Sequence, residues 1–181
     1  VTYLPEPPAS LDHGPNQPPP GEQYVYSPGY WYYTQVGWYW HPGVWVEVRP
    51  GWVWVPPCHR WTPVGWVLVG GHWDYPLEER GLVCAPVYFH RHVWRDNPDW
   101  VFYPRNVISV NLVVSTFFVG PQRSHYYFGS YYGPKWQQAG YVAWVDYAPK
   151  RFDPIYSYYR HTHKNNQWHN QLVPLHNQRL S

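Results

Sequence analysis

Eleven histidines invite a metal-binding reading of this chain, and two pairs have suggestive spacing: His90-Arg91-His92 and His161-Thr162-His163. On a strand, residues two apart share a face; on a helix they do not, and His161 and His163 fall on or near a helical stretch. A zinc or copper site needs three or four converging donors. Neither pair brings a third ligand, so both read as surface or packed histidines, and no metal or cofactor is assigned. Glycoside hydrolysis would need two carboxylates flanking a groove. The densest acidic cluster is Asp74, Glu78 and Glu79, in an insertion that reads as a solvated turn. There is no nucleophile elbow, no phosphate-binding glycine loop and no CxxC or CxxCH motif, so no catalytic residue is assigned and the chain reads as a non-enzyme. Two cysteines, Cys58 and Cys84, fit a single bridge within or between chains, with two buried thiols as the alternative. The remaining chemistry is aromatic. With 14 Trp and 19 Tyr, the chain carries the side chains that dominate contact energy where surfaces pack, and on whose faces sugar rings stack.

The elements that must position these rings are set by a fourteen-residue unit with a glycine–x–tryptophan beat. In register the copies are PGYWYYTQVGWYWH from Pro28, PGVWVEVRPGWVWV from Pro42, PPCHRWTPVGWVLV from Pro56 and GGHWDYPLEERGLV from Gly70, the last with two extra residues before the second glycine of its beat, Gly81. A period this short suits a β-hairpin, two short strands and two tight turns, with Gly and Pro at the turns. The expectation is an antiparallel up-and-down meander with turns near Pro28-Gly29, Gly37, Pro42-Gly43, Gly51, Gly65 and Gly70-Gly71. Residues fourteen apart then lie two strands away. Trp31, Trp38, Trp40, Trp45, Trp52, Trp54, Trp66 and Trp73 are expected to form an aromatic or assembly ladder, with Trp61 out of step by two.

Four segments follow: a proline-rich extended arm over 1–27, the Trp/Gly repeat sheet over 28–89, a β-rich segment packing on it over 90–150, and a helix with a polar tail over 151–181. The arm is ordered only if it lies on something, and Tyr24 and Tyr26 favour docking. The stretch 107–119 alternates Ile108, Val110, Leu112, Val114 and Phe118 against Ser109, Asn111 and Ser115, the pattern of a half-buried strand or two joined ones. GYVAWVDY reads as a further strand. Asp153-Pro154 opens the one persuasive helix, to about Trp168 and stopping before Pro174. The fold class is mainly β, with a smaller mixed C-terminal part containing one helix.

A formal net charge of +2 argues for no nucleic-acid or anionic-membrane partner. No apolar run is long enough to cross a bilayer. A chain that begins at Val1 and has no methionine is expected to be exported and processed, a setting in which a disulfide forms.

Several phrases carry a resemblance. LPEPPASLDHGP at 4–15, WTPVGWVLVGGHWDYPL at 61–77, RGLVCAPVYF at 80–89, HYYFGSYYG at 125–133 and FDPIYSYYRHTHKNNQW at 152–168 resemble the uncharacterised secreted Trp-rich proteins with YXWGXW-type repeats found in planctomycete bacteria. The resemblance spans most of the chain. It implies export and a cell-envelope or extracellular setting, and brings no activity and no catalytic residues. The functional expectation is a secreted structural protein that self-associates into a filament, sheath or surface layer. The alternative is a carbohydrate-binding cell-envelope protein that stacks polysaccharide on exposed aromatics.

Overall fold

The computed structural model describes residues 1–84, 93–97, 99–120 and 126–180. Its first half is built from antiparallel strands β1 (Tyr24–Ser27), β2 (Tyr30–Thr34), β3 (Gly37–His41), β4 (Val44–Glu47), β5 (Val53–Val55), β6 (Cys58–Thr62), β7 (Gly65–Val69) and β8 (His72–Asp74). They do not form a meander. β2 pairs with β3 while β1 pairs with β4, and β6 pairs with β7 while β5 pairs with β8. In the first set Tyr24 faces Glu47 and Tyr30 faces His41, so partner numbers add to 71 in both ladders. In the second, Val53 faces Asp74 and Cys58 faces Val69, and they add to 127. Each set is therefore one long hairpin in a single unbroken frame.

This corrects the expected turns. The chain reverses at Gln35-Val36 and at Pro63-Val64, where Gly37 and Gly65 follow. At Pro28-Gly29, Pro42-Gly43 and Gly70-Gly71 it runs straight on. The frame sets Pro28 across from Gly43, Gly29 across from Pro42, and Pro56-Pro57 across from Gly70-Gly71. Proline lacks the N–H a ladder needs, so these sites interrupt the ladder without bending the hairpin back. The structural repeat is twenty-eight residues, from Thr34 to Thr62 and from Gly37 to Gly65, twice the period read from composition. The two reversals share their chemistry. Thr34 Oγ1 donates to the Gly37 carbonyl at 3.2 Å, and Thr62 Oγ1 to the Gly65 carbonyl at 2.7 Å.

Between the hairpins lies a tight turn at Arg49-Pro50-Gly51-Trp52, closed by Trp52 N–H donating to the Arg49 carbonyl at 3.0 Å. Gly51 has φ 79°, the positive value that the third position of a type II turn requires, and Pro50 presets the second.

The arm docks on both hairpins. Trp31 Nε1 donates to the Ala9 carbonyl at 2.9 Å and Trp45 Nε1 to that of Gln17 at 3.3 Å. Leu4 forms a single antiparallel bridge with Trp66 on β7. The first hairpin begins at Tyr24, inside the stretch read as arm.

Beyond Leu77–Glu79, a short 3-10 turn, come β9 (Val83–Cys84), α1 (Val93–Asp96), β10 (Val107–Ile108), α2 (Val110–Val114), β11 (Phe117–Val119), β12 (Tyr126–Phe128), α3 (Pro134–Gln138), β13 (Val142–Ala143), α4 (Trp144–Tyr147), α5 (Pro154–Thr162) and α6 (Gln167–Leu180). β9 pairs with β10, and β11 lies between β12 and β13. The C-terminal part therefore holds several helices rather than one, and among the described residues helix is about as abundant as strand. The main hydrophobic core sits here, with Val113, Phe117, Phe118, Val119, Val145, Ile155 and Leu172 around a fully buried Trp144. In the first half the buried hydrophobic side chains of the core, Val53 and Val55, lie at the base of the second hairpin, and β5 packs against α5.

Three readings of this part are corrected. The stretch 107–119 breaks into β10, α2 and β11, because burial falls on Val113, Phe117, Phe118 and Val119 rather than on alternate residues. Ser115 and Thr116 hydroxyls fold back onto the Leu112 and Val113 carbonyls and end α2. In GYVAWVDY only Val142–Ala143 is strand, since Trp144 turns into the core as α4. α5 opens at Asp153-Pro154 as expected but ends at Thr162, and His163 takes extended backbone. The tail forms α6 straight through Pro174, because Leu172 and His176 bury on one side of it. That burial offsets the roughly 3 kcal/mol that proline costs inside a helix.

Candidate functional site

The expected Trp ladder resolves into cross-strand pairs within each hairpin. Trp31 meets Trp40 edge to face at 5.3 Å, and Tyr33 meets Trp38 at 4.9 Å. At the hairpin bases Tyr26 meets Trp45 at 5.5 Å and Trp54 meets Trp73 at 5.1 Å, the same position twenty-eight residues on. Trp52 stacks on Tyr75 at 4.8 Å. Trp66 faces Trp61, which occupies the place of Tyr33 in the first hairpin, so its apparent displacement disappears in the longer repeat. Such pairs contribute about 0.5–1.5 kcal/mol each beyond area burial. They brace the ribbons but leave much aromatic surface in water: Tyr33 is 44% exposed, and Tyr32 and Tyr39, stacked 5.8 Å apart on the other face, are 38% and 45% exposed.

The hairpins touch where Trp38 meets the His59 ring at 5.5 Å. His59 Nε2 is buried without a hydrogen-bond partner among the described residues, and burial holds the imidazole pKa below its usual value. Beside the first hairpin Asp12 gathers the arm. Its Oδ2 accepts from Tyr26 OH at 2.8 Å and from Gly29 N–H at 2.7 Å, and its Oδ1 accepts from Gly14 N–H at 2.9 Å. Burial first, and then the Asp12 carboxylate, push the Tyr26 phenol up to about 12. A cavity of about 420 Å³ lies here, lined by Asp12, Asn16, Trp40 and Trp45.

A second cleft, about 220 Å³, opens between the second hairpin and the C-terminal core, lined by Cys58, Arg60, Asp74, Tyr126, Phe152 and Asp153. Asp153 is 4% exposed; its Oδ2 accepts from Tyr126 OH at 2.6 Å, and its Oδ1 caps α5 by accepting from Tyr156 N–H at 2.8 Å. Burial raises the Asp153 pKa against the pull of those hydrogen bonds, and burial beside Asp153 drives the Tyr126 phenol well up. The pair is a polar joint between β12 and α5, buried at its carboxylate and half-open at Tyr126. Asp153 was read only as a helix start; its tyrosine partner is far away in sequence and left no local signal.

The other chemical candidates have structural partners. Asp74 pairs with Arg80 at 3.1 Å, and Glu78 accepts from Tyr159 OH at 2.8 Å, so the acidic cluster is more than a solvated turn. His161 and His163 are both exposed, and the His163 ring packs on Tyr159 and Trp168. His90 and His92 lie outside the described residues. No group of three or more metal-ligating side chains converges among the described residues. No bridge joins Cys58 and Cys84 within the chain, where both are free thiols. They sit on separate ladders, Cys58 across from Val69 and Cys84 across from Val107. Burial also raises the Cys58 thiol pKa against the pull of Arg60, which keeps it protonated. No helix of the described residues is long and apolar enough to cross a membrane.

The chain matches no protein-family model, and comparison with curated proteins and with solved structures finds no match.

Proposed function

We propose that this chain is a secreted structural protein that assembles with copies of itself into a filament, sheath or surface layer, and that it is not an enzyme. The observation that carries the reading is the pair of long two-stranded hairpins. A two-stranded ribbon is marginally stable alone in water, and its edges are templates for a further strand. The first hairpin has no third strand among the described residues and keeps Tyr32, Tyr33 and Tyr39 exposed. A neighbouring copy would cover both the edges and the rings. The extracellular setting rests on the resemblance of the central phrases to secreted Trp-rich proteins; free thiols lend it no support.

A sugar-binding role is the second reading. Trp52 and Tyr75, 36% and 51% exposed and stacked at 30° to each other, leave aromatic surface in water of the kind a pyranose ring stacks on. Electron microscopy of the purified protein separates the two. Regular polymers are expected; a monodisperse monomer whose Trp fluorescence changes with added polysaccharide would overturn assembly in favour of glycan binding.

A further inference from the structure

The two hairpins carry the same turn, Thr34-Gln35-Val36-Gly37-Trp38 and Thr62-Pro63-Val64-Gly65-Trp66, but only one of them is clasped. At the second, Leu4 N–H donates to the Trp66 carbonyl at 2.7 Å and Trp66 N–H to the Leu4 carbonyl at 3.1 Å. The arm lies so close that a Cβ on Gly65 would stand 3.2 Å from Tyr3 Cβ and 3.4 Å from the Leu4 carbonyl. At the first, a Cβ on Gly37 would meet nothing within 4 Å.

The backbone of Trp38 is aimed as that of Trp66 is. With a two-residue reversal, Thr34 and Gly37 form the hydrogen-bonded pair next to the turn, so Tyr33 and Trp38 are a non-hydrogen-bonded pair. The Trp38 N–H and C=O therefore point out of the ribbon, as those of Trp66 do toward Leu4. We propose that this edge of β3 is a second receptor for the segment Val1–Pro8, filled by the arm of another copy of the chain. Each chain has two receptors and one clasping segment, so the segment clasps its own Trp66 or leaves it for a neighbour's Trp38. Contacts at Ala9 and Asp12 hold the rest of the arm on its own hairpin. Eight extended residues beyond them reach roughly 26–29 Å. The contact joins unlike surfaces, and such a contact propagates into open polymers unless it closes into a ring.

The inference rests on the assembly reading, and thiol trapping separates the two. In a Cys58→Ser, Cys84→Ser background, full chains carrying Leu4→Cys are mixed with full chains carrying Trp38→Cys and oxidised where the wild-type chain polymerises. The Leu4–Trp66 geometry, an exchanged hydrogen-bonded pair with Cα atoms about 5.5 Å apart, is within disulfide range. A reductant-sensitive dimer that needs both thiols is expected, with little from a Tyr39→Cys partner, whose backbone points into the ribbon. Polymers without the Trp38→Cys cross-link, or equal cross-linking to Tyr39→Cys, would overturn the inference and leave assembly standing. A wild-type chain that forms no polymer, together with variants that form no cross-link, would overturn both. Because Trp38→Cys removes a packed ring, Trp38→Pro compared with Trp38→Ala gives a second reading: both lose the ring, only the first loses the outward N–H, and the Leu4–Trp66 clasp is untouched in each. Loss of the Trp38 N–H is expected to raise the concentration needed for assembly about tenfold over that of Trp38→Ala, the effect of one or two hydrogen bonds. An unchanged concentration would also overturn the inference.

Discussion

Asp12 is a single carboxylate whose partners come from two elements, and its effect can be measured on one of them. Its Oδ2 holds both the Tyr26 hydroxyl and the Gly29 N–H. Replacing it by Ala leaves those donors without their acceptor, at a cost of about 1–3 kcal/mol in unfolding free energy. The Tyr26 phenol, now near 12, is expected to titrate lower in an ultraviolet titration, though still above the usual value, because burial is the larger cause. The sign follows from linkage. A tyrosine whose folded pKa is raised contributes stability that is complete below its unfolded value of about 10 and is lost as pH rises through the folded value. The stability of the native chain should therefore fall as pH rises from about 10 to about 12, and the Asp12→Ala chain should show less of that loss. An identical titration in both chains would remove Asp12 from this role.

Among elements, the junction between the hairpins depends most on a single backbone conformation. Gly51 takes φ 79° in the type II turn that sends β4 into β5. Space is no obstacle, since a Cβ there would meet nothing within 4 Å, so the cost of Gly51→Ala is conformational alone. It is expected to destabilise by about 1–2 kcal/mol, read as a lower denaturant midpoint with an unchanged slope. Neutral or stabilising behaviour would mean that the turn accepts a right-handed geometry. The prolines act differently. Pro28 and Pro42 mark expected turns and Pro56 opens the third repeat unit, yet with Pro57 they sit inside hairpins that keep one frame across them. Composition marks where a ladder is interrupted, but only pairing tells whether the chain turns there.

For the whole molecule, the contact between the hairpins is expected to respond to acid. His59 sits against Trp38 with its Nε2 unpartnered, and burial lowers its pKa. A depressed folded value means that its contribution is complete above the unfolded pKa of about 6.5 and is lost as pH falls through the lower folded value. Relative to the intrinsic rate at each pH, amide exchange in β2 and β3 is expected to accelerate across that window, and His59→Phe, which keeps a ring but cannot ionise, is expected to flatten the change. His169 is also lowered by burial, but it lies on α6 against Tyr156 and Trp168, so its titration should appear in the C-terminal core instead. Acceleration in β2 and β3 that persists in His59→Phe would place the sensitivity elsewhere.

Sequence alone determined the local chemistry of this protein. In the first half, Gly and Pro punctuation from Gly29 to Gly71 located β2 to β8 to within a few residues, and Gly37 and Gly65 marked both reversals. Asp153-Pro154 marked the start of α5, because caps and first-turn prolines act within a few residues. Tertiary structure decided what those signals could not carry. Whether Pro28-Gly29 is a turn or a break depends on the strand that lies opposite, and that strand is more than a dozen residues away. The helical reading of 110–114 and the continuation of α6 through Pro174 came from burial against a distant core, which outweighs local pattern and propensity. The Asp153–Tyr126 joint and the Leu4 clasp on Trp66 join residues far apart in the chain. A hydrogen bond leaves no periodic trace in a sequence, so such contacts exist only once the elements have been packed together.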